Sequence, residues 1–177
     1  MRKTINFNRK WAFTKKAEGI PAQISPEWYF VNLPHTWNAI DGQDGDNDYY
    51  RGKGYYAKKI VKSELPEAER YYLEIKGANS SADVYLDGER LCHHDGGYST
   101  FRADLTDSLK ENSLLVIVVD NSANDSVYPQ MADFTFYGGL YRDVNIICVS
   151  ESHFDLDYYG GPGIMVTPHI SGTSAET

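Results

Sequence analysis

The longest apolar run of the chain is Leu114-Leu115-Val116-Ile117-Val118-Val119. Apolar residues at both positions of a strand's two-residue repeat indicate that both faces of this segment are buried. Most of the run is β-branched, which favours a strand over a helix. It is far shorter than the ~18 residues that a membrane-spanning helix needs. We therefore expect this run to form a strand at the centre of a β-sheet.

A hairpin is predicted before this central run. Ser81–Leu86 alternates apolar and polar residues, as does a strand with one buried face. Asp87-Gly88 follows it, and this dipeptide is a strong signal for a two-residue hairpin turn. Glu89–His93 then has the composition of the returning strand.

Turn residues divide the rest of the first 150 residues into short extended segments. Further strands are predicted at Asn6–Phe13, Gly54–Val61, Arg70–Ile75 and Leu140–Val149, and a helical turn after Ser25. No segment keeps the 3.6-residue periodicity of a helix over several turns. The fold class is therefore predicted to be all-β, with the strands packed as a sandwich.

The composition narrows the class of ligand. The chain has 177 residues, is 41% hydrophobic and carries a net charge of −8. An acidic protein is a poor match for nucleic acid or for an anionic membrane surface, whereas neutral ligands are compatible with it. The first residues are basic and then polar, without an apolar stretch of signal-peptide length. Two locations stay open: the cytoplasm, or the periplasm or cell exterior after removal of a signal peptide.

No cofactor or metal is expected from the motifs. Cys92-His93-His94 is a run of adjacent residues on a strand, whose side chains alternate faces and cannot converge on one ion. From Asp44 onward the loop has the aspartate spacing of an EF-hand, but Tyr49 stands where that loop needs glycine and Tyr55 where it needs glutamate. The chain also has no Walker loop and no dinucleotide-binding fingerprint.

Asp133–Val144 combines aromatic residues, a Gly-Gly pair and an Arg-Asp pair in one short passage. Gly138-Gly139 predicts a tight turn, because glycine takes positive φ at little cost. Asp133 stands beside aromatic residues, and a carboxylate next to an aromatic face suits a sugar, which presents hydroxyl groups and a flat C–H surface. A buried aromatic corner with no ligand explains the same residues equally well.

Four motifs follow one another along the chain: Leu33-Pro34-His35-Thr36-Trp37-Asn38, Tyr50-Arg51-Gly52 with Gly54-Tyr55-Tyr56, Val84-Tyr85-Leu86-Asp87-Gly88, and Gly138-Gly139-Leu140-Tyr141-Arg142-Asp143-Val144. In this order they resemble the amino-terminal sugar-binding domain of family 2 glycoside hydrolases, the relatives of β-galactosidase and β-glucuronidase. The resemblance covers roughly residues 5 to 150.

This resemblance implies a jelly-roll β-sandwich of the galactose-binding type over residues 1–150. Residues 151–177 would be a linker and the start of an immunoglobulin-like domain, followed by a (β/α) barrel that holds the catalytic glutamates. The parent protein would then be a retaining glycosidase, most similar to β-galactosidases. This chain would contain no catalytic residue and would be inactive alone.

The resemblance also implies the residues that touch the sugar. In β-galactosidases of this family, an aspartate ahead of the Gly-Leu-Tyr-Arg-Asp-Val run contacts galactosyl hydroxyls, and the matching position here is Asp133. An asparagine of the earlier loop assists, which points to Asn47 with Asp48 and Arg51 as its neighbours. Arg142-Asp143 is expected to be structural, with the two side chains on opposite faces and paired to adjoining segments.

Two other functions fit the sequence. The chain could be an autonomous carbohydrate-binding module, which its 14% aromatic content favours. It could also be a structural or assembly domain whose exposed aromatic residues form a protein interface. The expected partners are a β-galactoside or related glycoside and the downstream domains of the same chain, with self-association of the full-length protein left open.

Overall fold

A computed structural model describes residues 1–41, 49–128, 132 and 135–176, and it is built almost entirely of β-strands. The first six strands are β1 (Lys3–Asn6), β2 (Trp11–Thr14), β3 (Tyr29–Val31), β4 (Lys53–Val61), β5 (Arg70–Ile75) and β6 (Ser81–Leu86). The next six are β7 (Glu89–Asp95), β8 (Phe101–Asp104), β9 (Asn112–Asp120), β10 (Val144–Val149), β11 (His169–Ser171) and β12 (Ser174–Glu176). One turn of 3₁₀ helix at Lys62–Glu64 follows β4.

The strands form two antiparallel sheets and one separate hairpin. The larger sheet has the order β3-β2-β4-β9-β6-β7, and the smaller has the order β1-β10-β5-β8. Among the described residues, β11 and β12 pair only with each other. β9 lies between β4 and β6, which confirms that the apolar run forms a strand in the interior of a sheet. The two antiparallel sheets confirm the predicted all-β sandwich.

The core lies between the two sheets and follows the alternation of each strand. In β9, Leu115, Ile117 and Val119 point inward and are fully buried. They meet the inward residues of β10 and β5 in one continuous hydrophobic cluster, which includes Ile146 and Leu73. Burial on this scale contributes roughly 25 cal/mol for each Å² of apolar surface removed from water.

Both sheets are also covered on part of their outer faces. Val116 and Val118 of β9 point away from the core and pack near Ile24 and Trp28, which belong to the loop between β2 and β3. On the smaller sheet, Leu156 packs against outward residues of β5 and β10. This second cover explains why the central run has no polar face.

The predicted Asp87-Gly88 hairpin is confirmed. Asp87 has φ of 49° and Gly88 has φ of 87°, so both central residues of the turn lie in the left-handed region. This is the geometry of the two-residue turns that match the twist of paired strands.

The strand predicted over Asn6–Phe13 is two strands in different sheets, and that prediction was wrong. Between β1 and β2 the chain crosses the sandwich, and Lys10 takes φ of 58° there. The Lys58 ammonium donates to the carbonyl oxygens of Phe7 and Arg9 at 3.1 and 2.6 Å and so holds the crossing. Apolar alternation continues through the crossing, which is why the pattern did not reveal it.

The strand predicted from Leu140 begins only at Val144. The backbone of Leu140 bonds to a loop instead, since its carbonyl accepts the His35 amide at 2.8 Å. The helical turn predicted after Ser25 is a plain turn, closed by the Trp28 amide on the Ser25 carbonyl at 3.1 Å. No helix among residues 1–41, 49–128, 132 and 135–176 is long and apolar enough to cross a membrane.

Candidate functional site

Of the four residues predicted to touch sugar, Arg51 lies within the described part of the chain. Asn47, Asp48 and Asp133 lie outside the described residues. Arg51 is exposed, and its guanidinium carbon lies 5.6 Å from the centre of the Tyr49 ring, within range of a cation–π contact. Burial raises the pKa of the Tyr49 hydroxyl, and the charge of Arg51 opposes that rise.

Described residues close to 42–48 and to 133–134 contact each other. The Tyr49 hydroxyl donates to the Phe136 carbonyl oxygen. Tyr49, Arg51, Asn121 and Phe136 line one narrow cleft at this end of the sandwich. The chain that follows 42–48 is thus joined to the chain that follows 133–134.

Asn38 is the centre of a buried hydrogen-bond network beneath this cleft. Its side chain is fully buried, and its amide nitrogen donates to the Asp41 carboxylate at 2.8 Å and to the Tyr50 carbonyl at 3.1 Å. Its amide oxygen accepts the Gly138 N–H at 2.7 Å. One side chain therefore ties together the segments on either side of 42–48 and the turn that follows 133–134.

Two more amides extend the network. Asn121, at the end of β9, donates to the Asn38 side-chain oxygen at 3.3 Å and accepts the Gly52 amide at 2.8 Å. Asn79 donates from its side chain to the Tyr137 carbonyl at 3.0 Å. Both are nearly buried, and buried polar groups of this kind are costly unless they are bonded.

The Asp41 carboxylate fixes the start of the first segment. Its Oδ2 accepts the Asn38 side chain and the Tyr50 amide, the latter at 3.0 Å. Residues 41 and 50 are therefore held next to each other, on opposite sides of 42–48.

The Gly138-Gly139 turn is required by how closely it approaches Trp37. A Cβ at Gly138 would lie 2.5 Å from the Trp37 ring and 2.6 Å from the Asn121 amide nitrogen. Gly139 has φ of 119°, which a side chain rarely adopts. The predicted tight turn is therefore present, and its glycines allow the turn to sit directly on the Trp37 ring.

His35 and Tyr56 support this turn from the core side. The Tyr56 hydroxyl lies 2.7 Å from His35 Nδ1 and accepts the Leu140 amide at 3.4 Å. Burial lowers the pKa of His35, so the neutral ring is favoured. Because Tyr56 accepts from Leu140, its own proton is free to donate to His35 Nδ1.

Arg142 and Asp143 are held by the sandwich itself. Arg142 donates to the Tyr98 carbonyl at 3.0 Å. Asp143 accepts the Asn8 side chain at 2.8 Å. These contacts agree with the expectation that the pair is structural.

The buried amides are the part of the site that sequence reasoning missed. Asn38 was within a quoted motif, but nothing marked it as the central residue of a network. Asn121 directly follows β9, and a polar amide at the end of an apolar strand is a signal that could have singled it out. Asn79 lies in the connection between β5 and β6 and has no such signal.

Comparison with known proteins identifies the architecture. A family model described as glycosyl hydrolases family 2, sugar binding domain, matches residues 5–150. A β-glucuronidase of Bacteroides fragilis is 33% identical over 171 residues, which is 96% of this chain and 24% of that protein. A β-galactosidase of Thermoanaerobacterium thermosulfurigenes is 33% identical over 153 residues, covering 82% of this chain and 21% of that protein.

Solved structures agree with these matches. The FMN-binding β-glucuronidase of Facaelibacterium prausnitzii L2-6 is 46% identical with a TM-score of 0.83, over 95% of this chain and 26% of that one. A putative β-galactosidase from Bacteroides fragilis is 32% identical with a TM-score of 0.86, over 98% of this chain and 27% of that one. The chain therefore spans about a quarter of the length of these relatives.

Proposed function

Because this chain belongs to the sugar-binding domains of family 2 glycosyl hydrolases, we propose that it holds substrate-contacting side chains against the glycon of a β-glycoside. Bond cleavage would take place on a different part of a longer polypeptide. Asp133 accepts hydrogen bonds from sugar hydroxyls in this proposal, and Asn47, Asp48 and Arg51 assist it.

The observation that carries this proposal is the Asn38 network. Hydrogen bonds of 2.7–3.1 Å join Asn38 to Asp41, Tyr50 and Gly138. Asp41 and Tyr50 stand on either side of the stretch that holds Asn47 and Asp48, and Gly138 follows the stretch that holds Asp133. A sugar-binding constellation needs side chains from separate loops to be held in a fixed relation. A buried amide that joins both loop bases supplies such a relation.

The described residues next to these loops have the chemistry that a sugar needs. Arg51 offers guanidinium donors at the rim of the cleft. Tyr137 is 46% exposed and offers an aromatic face beside Gly138. A carbohydrate is favoured over an apolar ligand, because the proposed site combines acceptors for sugar hydroxyls, guanidinium donors and an aromatic ring for the C–H face of the sugar.

The parent enzyme is proposed to cleave a β-galactoside or a β-glucuronide. The relatives named above carry both names, and the sequence resemblance favoured the galactoside. Arg51 provides a chemical difference between the two substrates. A guanidinium forms an ion pair with the carboxylate of a glucuronide, whereas it only donates hydrogen bonds to the neutral hydroxyls of a galactoside.

Residues 1–150 are proposed to be the sugar-binding domain and 151–177 the entry into a following immunoglobulin-like domain. Phe154, Tyr159 and Met165 are strongly exposed in the latter stretch. Several exposed apolar side chains within one short stretch are expected to be covered by further polypeptide of the same protein. We propose that the domain contributes packing against the catalytic barrel as well as sugar contacts.

Kinetics of the full-length protein test this function. Asp133→Ala should lower kcat/KM on an aryl β-glycoside about 10-fold or more, because a charged hydrogen bond to the sugar is lost. Asp133→Asn should lose less, because it keeps one acceptor oxygen. Asp107→Ala is the matched control, since Asp107 lies in the exposed turn before β9, at the opposite end of that strand from Asn121. Unchanged kinetics in Asp133→Ala would remove Asp133 from the site.

Calorimetry of the isolated domain separates this function from an autonomous binding module. Half of a site binds poorly, because few contacts must offset the cost of association. We therefore expect no binding of galactosides or glucuronides in the micromolar range. Micromolar affinity in the isolated domain would favour the binding-module function instead.

A further inference from the structure

A histidine and two carboxylates form a cluster on the outer face of the larger sheet, at the edge made by β6 and β7. His93 of β7 and Asp83 of β6 are cross-strand neighbours. The His93 Nδ1 lies 2.9 Å from an Asp83 carboxylate oxygen, and the His93 Nε2 lies 3.1 Å from an Asp95 carboxylate oxygen. Each nitrogen of the ring therefore faces a group that only accepts hydrogen bonds when it is ionised.

This geometry fits the protonated form of His93. A neutral imidazole has one N–H and one lone pair, so one of its nitrogens would direct a lone pair at a carboxylate. The imidazolium has two N–H groups and donates to both carboxylates at once. Hydrogen bonding to Asp83, and secondarily to Asp95, raises the pKa of His93, and partial burial of the ring opposes that rise.

Both carboxylates have donors other than His93. The Asp83 oxygen that faces the ring also accepts Arg90 at 2.7 Å. Asp95 accepts the Ser81 hydroxyl at 2.6 Å, and this bond is the main reason that the pKa of Asp95 lies below its usual value. The carboxylates therefore stay charged when His93 loses its proton, and the neutral ring is then left between two anions.

The other charged and titratable groups around His93 come from β4, β7 and β9. Lys53 of β4 and Asp120 of β9 line the same cleft and are cross-strand neighbours, so their charges largely offset each other. His94 follows on β7 and stacks on Phe101 of β8, with 4.2 Å between the ring centres. Burial lowers the pKa of His94. Among the described residues, the charges closest to the His93 ring are thus its two carboxylates.

Asp95 connects this cluster to the turn 124–127, which follows β9. Its Oδ1 accepts the Asn124 side-chain amide at 3.1 Å, while its Oδ2 faces His93. The Asn124 amide also donates to the Ser81 hydroxyl oxygen at 2.9 Å, and the Asn124 carbonyl accepts the Val127 amide at 3.0 Å. One carboxylate therefore joins the end of β7 to the start of β6 and to the turn 124–127.

We propose that His93 is a pH-sensitive clasp at the edge of the larger sheet. In its protonated form it holds the Asp83 and Asp95 carboxylates together, and so fixes the end of β7 against β6 and the turn 124–127. After the proton is lost, the two carboxylates repel each other across a neutral ring and this corner of the sheet loosens. The clasp does not depend on the proposed sugar contacts, because none of its groups belongs to them.

The clasp stabilises the fold at mildly acidic pH. Because the pKa of His93 is raised in the folded chain, its contribution is complete below the ordinary histidine value of about 6.5 and is lost as the pH rises through the folded value. His35 and His94, whose pKa values are lowered by burial, have the opposite effect and reduce stability as the pH falls. The clasp is therefore measured as a difference between variants.

The test compares thermal unfolding of the 177-residue chain and its His93→Gln variant at about pH 5.5 and about pH 8.5. Glutamine keeps a polar side chain but cannot carry the charge. We expect the Tm of the variant to lie about 2–4 °C below that of the unaltered chain at the acidic pH, and within about 1 °C of it at the alkaline pH. His169→Gln is the matched control, since His169 is exposed in the β11–β12 hairpin and should show no such pH dependence.

Two local measurements complete the test. An NMR titration should show the His93 ring losing its proton at a higher pH than an ordinary histidine, and Asp95→Asn should move that titration to lower pH. Amide hydrogen exchange, corrected for its intrinsic pH dependence, should show lower protection of Val127 at the alkaline pH in the unaltered chain. A His93 that titrates at or below the ordinary value, an equal Tm difference at both pH values, or unchanged protection of Val127 would overturn the clasp.

Discussion

Asn38 uses the full hydrogen-bonding capacity of its side chain within the site. Its nitrogen donates twice, to Asp41 and Tyr50, while its oxygen accepts from Gly138 and Asn121. Only an amide offers two donors and an acceptor with two lone pairs on one short side chain. An aspartate at position 38 would place acceptor oxygens against the Asp41 carboxylate and the Tyr50 carbonyl, which are themselves acceptors. These two partners therefore require the donor nitrogen of an asparagine.

Replacing Asn38 should therefore destabilise the fold more than its size suggests. Asn38→Ala takes the acceptor from the Gly138 N–H in a buried place and removes one donor each from the Asp41 carboxylate and the Tyr50 carbonyl. We expect the free energy of unfolding to fall by about 2–4 kcal/mol. Urea unfolding of the isolated domain measures it. Asn112→Ala, at the exposed start of β9, should change stability by less than about 0.5 kcal/mol. A cost as small for Asn38→Ala would mean that the network is not formed in solution.

Elements differ in how well the sequence predicted them. The central strand β9 and the Asp87-Gly88 hairpin were predictable, because burial on both faces and a paired left-handed turn each leave a local signal. The boundary between β1 and β2 was not, because a chain that crosses between sheets keeps the same apolar alternation. Leu140 was assigned to a strand because its side chain is apolar, whereas its backbone bonds to His35 and Tyr56 decide its place.

The turn at Gly138 gives a test at the scale of the element. In Gly138→Ala, the new methyl group would overlap the Trp37 ring, so the turn must move away from Asn38 and Asn121. We expect a loss of about 2–3 kcal/mol in the free energy of unfolding, together with a change in Trp37 fluorescence. Gly88→Ala is the control, since a Cβ there meets no atom within 4 Å and only the backbone conformation is strained, at about 1 kcal/mol.

Equal losses in the two glycine variants, with unchanged fluorescence, would contradict the close packing of this turn on Trp37. Comparing the two variants separates the cost of steric overlap from the cost of backbone strain, because Gly88 has φ of 87° and open space around it. A larger loss of unfolding free energy in Gly138→Ala than in Gly88→Ala would therefore show that the turn at Gly138 packs closely against its neighbours.

At the scale of the whole molecule, the order of the motifs predicted the domain, and the family match over residues 5–150 confirmed it. The site was only partly predictable. Arg51 was named and stands at the cleft, but the buried amides that join the loops come from positions far apart in sequence. Asn38 and Asn121 meet only after β4 and β9 have paired, so no local pattern shows their contact.

A buried ion pair connects the sandwich to the segment that follows it. Arg102 and Glu74 are 5% and 7% exposed and pair at 2.6 Å on the outer face of the smaller sheet. Arg102 also donates to the carbonyl oxygens of Leu156 and Gly161 at 2.8 and 3.0 Å. It therefore holds the stretch after β10 against the sheet.

Arg102→Met should lower the free energy of unfolding by about 3 kcal/mol, because Glu74 keeps its charge in a buried place without its main partner. The double variant Arg102→Met with Glu74→Leu should recover most of that stability. Both variants should expose residues 152–161 to limited proteolysis, because the bonds to Leu156 and Gly161 are absent in each. Arg70→Met, which breaks an exposed pair with Glu151, should cost little and leave the segment protected.

Protection of residues 152–161 in the double variant would contradict this role of Arg102. Recovery of stability without recovery of protection would support it, since the ion pair and the carbonyl contacts are then separated.

The most direct measurement is a crystal structure of the full-length protein with a galactose-derived or glucuronate-derived inhibitor in its active site. We expect an Asp133 carboxylate oxygen at a hydrogen-bond distance of about 2.5–3.0 Å from a sugar hydroxyl, with Asn38 still bonded to Gly138. A bound sugar whose hydroxyls are contacted entirely by other domains, with Asp133 directed away from it, would contradict the proposed role of this domain in sugar binding.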